Sequence, residues 1–321
     1  MPNCMAARYG TRLSVTMSQS KRVLVTGATG KQGGAVVEAL VTRGHHVRAL
    51  TRNAASPAAQ RLREQGVEIA VGDFTDQDSL VHAARGVNAV YAMSTPYEQG
   101  AEHETAQGLT ITEAAQAAGV AHLISSSVAS ANRATGVPHF DSKYAVEQHL
   151  QASRVPSTIV APVSFMENVW QPWSLASLRQ GKLAMALPAS RALQHIAAAD
   201  IGAFVAAVIE RGETVCGRRF EIAGDALTGA EAAAIVSKVT GREVHYAGFP
   251  PDVFRAQSAD LALMFAWFDR TGYAADIERL RRDFPEVQWH PFEAWARQQD
   301  WRVLDHSYRS SENELEMQDW Y

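Results

Sequence analysis

The chain has 321 residues, 46% hydrophobic and 20% charged, with a formal net charge of −4. That is enough chain for a well-buried core in one large or two ordinary domains. It carries neither the basic excess nor the arginine stripe by which a nucleic acid or an anionic membrane would be recruited. Two cysteines, Cys4 and Cys216, supply neither a disulfide framework nor a C-x-x-C metal pair, which fits a reducing, cytoplasmic setting. No apolar run approaches the ~18 residues that cross a bilayer.

Residues 1–20 contain Arg8 and Arg12, no acid and no continuous apolar stretch, so they read as a loose extension with Met17 just ahead of the first strand. From Lys21 onward, short apolar runs alternate with helical patterns. Arg22–Thr26 reads as a buried strand and Gly33–Arg43 as a helix with Ala35, Val36, Ala39 and Leu40 on one face. Strand Val47–Thr51, helix Pro57–Gln65, strand Val67–Val71 and helix Gln77–Arg85 follow. Then come strand Ala89–Met93, helix Glu104–Ala118, strand Val120–Ser125, helix His139–Ser153 and strand Ser157–Ala161. Such alternation predicts an α/β fold, a Rossmann-type doubly wound parallel sheet, over residues 21–162, with parts of 190–225 returning to it. Ligands on such sheets bind at the carboxyl ends of the strands, which singles out the loops after Thr26, Thr51, Met93, Ser125 and Ala161.

After Pro162 the rhythm changes. Leu183–Leu187 and Leu193–Ile196 read as a hairpin across Pro188-Ala189-Ser190, Ala199–Arg211 as a helix and Arg219–Ala223 as a strand. Thr228-Gly229-Ala230-Glu231 has capping-box spacing ahead of a helix ended by Gly241. With helices near Ser258–Arg270 and Phe292–Gln299, residues 163–301 form a smaller mixed α/β second lobe, interleaved with the first domain. Residues 302–321 read as a polar, acidic tail.

The strongest motif is Gly27-Ala28-Thr29-Gly30-Lys31-Gln32-Gly33, between the first strand and first helix. Glycines let a backbone turn sharply and approach a pyrophosphate, while the helix N-terminus offers unpaired N–H groups. The strand, turn and helix that such a loop requires are all present. The second strand ends in Thr51-Arg52-Asn53. An NAD site would usually hold an acid here for the ribose 2′-hydroxyl, whereas Arg52 suits the 2′-phosphate, with help from Lys31, so the expected cofactor is NADP(H).

Several segments form a set: VTGATGKQGG at Val25–Gly34, VRALTRN at Val47–Asn53, VGDF at Val71–Phe74, HFDSKYAVE at His139–Glu147, VAPVSFMENV at Val160–Val169 and DIG at Asp200–Gly202. Over about Lys21 to Trp301 the chain resembles NmrA-like proteins of the HSCARG-like group, atypical members of the short-chain dehydrogenase/reductase superfamily. The resemblance implies that Gly27–Gly33 bind the pyrophosphate and Arg52 the 2′-phosphate, with Asp73 and Phe74 flanking the adenine. It implies that Ser94, Thr95 and Pro96 border the ribose and nicotinamide side and that Lys143 reaches the nicotinamide ribose. Phe165, Met166, Glu167 and Asn168 would line the nicotinamide pocket.

Ordinary relatives in that superfamily use Tyr-x-x-x-Lys, in which the lysine lowers the tyrosine pKa for proton transfer. Here the register reads His139-Phe140-Asp141-Ser142-Lys143, so His139 occupies the tyrosine position. Tyr144 does not restore the motif, because Gln148 stands four residues later. The resemblance implies two classes among members lacking the tyrosine: reductases of reactive acceptors, and NADP(H) sensors that bind a protein partner. His139 can serve as a proton donor, and a hydroxyl of Ser125-Ser126-Ser127 can orient a substrate carbonyl. Trp170, Trp173, Met185 and Phe165 are candidates for an apolar pocket. The expectation is an NADPH-dependent reductase of a small carbonyl, quinone or enone-like acceptor, with the sensor as the competing class. Sugar-nucleotide epimerisation leans on the missing tyrosine. No nucleophile elbow, H-E-x-x-H or Walker lysine is present; His45-His46 does not converge as a metal pair. A protein partner and a homodimer are left open.

Overall fold

The computed structural model describes residues 20–96, 98–256 and 258–305. The expected N-terminal extension up to residue 19 and the acidic segment from residue 306 lie outside the described residues. The first half runs β1 (Arg22–Val25), α1 (Lys31–Thr42), β2 (His46–Thr51), α2 (Pro57–Glu64), β3 (Glu68–Val71), α3 (Gln77–Ala84), β4 (Ala89–Ala92), α4 (Ala101–Ala117), β5 (His122–Ser126), α5 (Pro138–Ala152) and β6 (Ser157–Pro162). Local chemistry starts these helices: Ser56 caps α2 with Pro57 behind it, and Asp76 caps α3.

The second half adds β7 (Ser164–Phe165), α6 (Pro172–Leu178), β8 (Lys182–Met185), β9 (Ala192–Ile196), α7 (Ala198–Arg211), β10 (Arg219–Ile222) and β11 (Asp225–Thr228). It ends with α8 (Gly229–Thr240), β12 (His245–Gly248), α9 (Ala259–Arg270), α10 (Ile277–Asp283) and α11 (Phe292–Gln298). The expected capping box of Thr228 and Glu231 is formed at α8, and Gly241 ends that helix in the left-handed region.

The main sheet has the order β10-β6-β5-β4-β1-β2-β3, parallel throughout, with Val23 opposite Val47 on one side and Ala89 on the other. This is the 3-2-1-4-5-6 order of dinucleotide-binding sheets with a seventh strand added. The strands β4 and β5 are buried along their whole length, as expected of a parallel sheet covered on both faces. One face packs on α1 and α7, the other on α3 and α4. Gly202 lets α7 lie against α1, because a Cβ there would stand 2.2 Å from the carbonyl oxygen of Ala35. Asp200 in the same Asp-Ile-Gly stretch accepts hydrogen bonds from the backbone and ring of His290. Burial pushes its carboxyl up, against those bonds. The motif is therefore a helix-packing device that also ties down the segment before α11.

The expected hairpin of residues 183–196 does not form. Strand β8 pairs in parallel with β12, while β9 pairs antiparallel with β11 and parallel with β7. Both runs have strand chemistry, but their partner edges arrive from later in the chain. The fold also continues past residue 301, into the expected tail: Trp301–Leu304 form a turn of 3-10 helix and Leu304 is buried in the second-lobe core. Among the described residues no helix is long and apolar enough to cross a membrane.

Candidate functional site

At the switch point between β1 and β4 the connections leave the sheet on opposite faces, opening a crevice at the carboxyl ends. The second lobe roofs this crevice, and the resulting cavity has a volume of about 1630 Å³. Single drug-sized sites measure roughly 300–1,000 Å³, so this one has room for a dinucleotide and a second small molecule. All of the residues expected to bind the cofactor or act in catalysis border it except Ala28 and Gly33. Ala28 is buried in the core beneath the loop.

The glycines of the first loop divide by role. A Cβ on Gly33 would stand 2.1 Å from the carbonyl oxygen of Gly27, so the turn itself demands glycine. Gly30 faces the cavity with extended backbone, and a Cβ there would meet nothing nearer than 3.5 Å. Packing does not require a glycine at that position. Gly30 is also the N-cap of α1, with no side-chain cap and no acid in the first turn. The helix thus presents first-turn N–H groups and the positive end of its dipole to the cavity, an anion site of the pyrophosphate kind. Gln32 donates to Ser126 Oγ at 2.9 Å, and both border the cavity.

Arg52, Asp73 and Phe74 all border the cavity. Thr75 donates to the Asp73 carboxylate through its hydroxyl and backbone N–H, holding that carboxyl below its ordinary range. Arg52 is engaged fork to fork by Glu98, a residue the sequence reading did not single out.

Ser94 and Thr95 follow β4. Lys143, from α5, donates to the Ser94 carbonyl at 2.6 Å and pairs with the Glu104 carboxylate of α4 at 2.7 Å. Ser142 also donates to Glu104. Its ammonium is thus held in the cavity wall by a fully buried carboxylate. Glu104 went unnoticed because in sequence it is one more acid in the first turn of a helix.

His139 stands at the start of α5, where Val137 provides no side-chain cap. Asp260, from the first turn of α9 in the second lobe, takes that part. Its carboxylate accepts from the His139 backbone N–H at 3.1 Å and engages the ring Nδ1 at 2.5 Å. Burial works to raise the Asp260 carboxyl, but the His139 hydrogen bonds and charge outweigh it and hold it below the ordinary range. Both residues border the cavity, so the imidazole is oriented across the two lobes.

Of the segment after β6, Phe165 and Met166 both border the cavity, and Met166 is also packed into the second-lobe core. Glu167 accepts from the Ala198 N–H at the start of α7 and from the Trp295 indole. Burial pushes its carboxyl up. Asn168 donates to Ser164 Oγ at 3.2 Å. Glu167 thus joins lobe to domain as well as lining the cavity. The apolar wall is completed by Met185, Met264, Phe265, Phe268 and Tyr273. His195 of β9 borders it too; complete burial depresses this imidazole to about 4, so it is neutral.

Other expectations are corrected. Trp170 does not line the cavity; it packs on Trp301 and Trp295, with ring centroids 4.7 and 6.3 Å away. The Trp173 side chain lies outside the described residues. Ser127 donates to buried Glu147, itself paired with Arg219 of β10, so its hydroxyl serves the loop after β5. His45 bridges the Lys21 N–H and Glu210, a structural role.

Comparison with known proteins agrees with this fold. The chain matches the NmrA-like family over residues 19–317. It is 30% identical over 293 residues to a (4-alkanoyl-5-oxo-2,5-dihydrofuran-3-yl)methyl phosphate reductase of Streptomyces griseus, covering 85% of this chain and 96% of the relative. An NAD(P)H azoreductase of Xenophilus azovorans is 31% identical over 226 residues, 70% of this chain and 76% of that protein. A solved NADPH-dependent quinone oxidoreductase of Escherichia coli, complexed with NADPH, superposes with a TM-score of 0.73 at 25% identity, over 85% of this chain and 98% of that one. Fold, loop motif and full-length match coincide: the chain belongs to the NmrA-like family, on a Rossmann-type α/β fold.

Proposed function

We propose that this protein is an NADPH-dependent reductase of a small, largely apolar carbonyl, quinone or enone-like acceptor. The observation that carries the reading is a single cavity with an anion-binding helix start and Arg52 at one end, and an aromatic and methionine-lined wall at the other. Relatives named as reductases, one of them a quinone oxidoreductase complexed with NADPH, support it. Gly30 is the test of fit for the dinucleotide, since it borders the cavity and the fold itself leaves room for a side chain there.

When bound, the reduced nicotinamide supplies the hydride; the protein positions and protects. The Gly27–Gly33 loop and the α1 N-terminus hold the pyrophosphate, and Arg52 holds the 2′-phosphate. Asp73 and Phe74 flank the adenine, while Ser94, Thr95, Pro96 and the Lys143–Glu104 pair shape the ribose side. Phe165 and the apolar wall exclude water and orient the acceptor. Asp260 holds His139 by Nδ1, which leaves Nε2 as the ring nitrogen able to carry a proton to the acceptor oxygen. Proton delivery by a positioned side chain typically contributes ~10²–10⁴-fold.

The test is NADPH and NADH oxidation against a panel of quinones, aldehydes and enones. Turnover with at least one acceptor class, faster with NADPH, is the expected result. Failure of the whole panel, together with NADPH-dependent protection of the second lobe from proteolysis, would favour a non-catalytic NADP(H) sensor instead.

A further inference from the structure

Arg52 follows β2, and Glu98 lies between β4 and α4; both border the cavity. The two Nη atoms of the guanidinium donate to both oxygens of the Glu98 carboxylate, at 2.8 and 2.9 Å. Asp73 adds a second negative charge facing the same guanidinium. A carboxylate in that fork presents the paired oxygens and negative charge that a phosphate presents, which is why guanidinium groups bind both bidentately. We propose that Glu98 is an internal stand-in for the 2′-phosphate of NADP(H), a specificity-determining residue whose carboxylate leaves the Arg52 fork for NADP(H) and has no need to leave for NAD(H). This rests on the proposed role of Arg52 at the 2′-phosphate.

Two consequences follow from charge and exposure. The incoming phosphate carries about −1.5 to −2 charges near neutrality, more than a carboxylate, so it wins the fork. The Arg52 and Glu98 side chains are 64% and 31% exposed, so water readily receives the displaced carboxylate and the competition is modest. Glu98 therefore sets how strongly the site prefers the phosphorylated cofactor, without abolishing the preference.

The experiment measures binding of NADP⁺, NAD⁺, 2′,5′-ADP and 5′-ADP to the full chain by calorimetry, for wild type, Glu98→Gln, Arg52→Gln and the double variant. Melting temperatures serve as a folding control. Glu98→Gln should tighten NADP⁺ and 2′,5′-ADP by about two- to fivefold, the scale of a half-exposed ion pair, and leave NAD⁺ and 5′-ADP unchanged. In the Arg52→Gln background that gain should fall by more than half. An equal gain for both ligand pairs, a weakening of NADP⁺ binding, or a gain undiminished without Arg52 would overturn the stand-in. An unchanged NADP⁺ to NAD⁺ ratio in Arg52→Gln alone would instead overturn the underlying role of Arg52, and it is read without the Glu98 variant.

Discussion

Substituting Lys143 tests function and stability at once, and the structure allows the two to be separated. The Lys143 and Glu104 side chains are 12% and 0% exposed, with 2.7 Å between ammonium and carboxylate. Lys143→Met keeps most of the volume and removes the charge, leaving the fully buried Glu104 with the Ser142 hydroxyl. Breaking one side of a buried ion pair typically costs about 3–5 kcal/mol. At roughly 2–4 °C per kcal/mol for domains of 150–250 residues, the melting temperature should fall by ~6–20 °C. Glu104→Gln should cost less, about 1–3 kcal/mol, since Lys143 keeps the Ser94 carbonyl and reaches the cavity. The double variant Lys143→Met/Glu104→Gln has no orphaned charge and should recover most of the stability lost by Lys143→Met. Turnover should stay low in both variants that lack the ammonium. Urea titration gives the stabilities and nicotinamide absorbance gives the turnover. A loss below about 1 kcal/mol in Lys143→Met, or strict additivity in the double variant, would refute the buried-pair reasoning.

Gly30→Val should fold within about 1 kcal/mol of wild type yet bind either dinucleotide about 10- to 150-fold more weakly, because its side chain fills the space for the pyrophosphate; a normal Kd by calorimetry would remove the phosphate loop from that role. Asp260→Asn should lower kcat more than KM and change the pH–rate profile, with the His139 tautomer read by nitrogen NMR; His139→Phe should remove the same ionisation, and an unchanged profile in both would assign the proton to water. His122 and His195 are buried and depressed to about 4, against an unfolded value near ~6.5. Depressed histidines contribute nothing to pH dependence above the unfolded pKa. As pH falls from about 6.5 to 4 the unfolded chain takes up protons that the native one refuses, so stability drops by on the order of 3 kcal/mol for each. His122→Gln or His195→Gln should flatten the urea-derived stability curve over that window, and an unaltered slope would contradict the burial argument.

The sequence by itself determined whatever depends on neighbours along the chain. The alternation of apolar runs and helical faces is local, so the nine strands and helices from Arg22 to Ser126 and the parallel character of their sheet could be read without coordinates. The Gly27–Gly33 turn, the Thr228 capping box and Arg52 at the end of β2 follow from short-range spacing, and each stands where that spacing puts it. What lay hidden were pairings across long loops. Asp260 meets His139 across 121 residues, and Glu98 meets Arg52 across 46. In sequence these acids, like Glu104, look the same as any solvated carboxylate. The edges chosen by β8 and β9, and the packing of Trp170 against the second-lobe core, likewise depend on surfaces that exist only after the second lobe has packed. Backbone conformation answers to adjacent residues; charge partners and burial answer to whatever folding brings near, and so the tertiary structure alone decided the chemistry of the cavity wall.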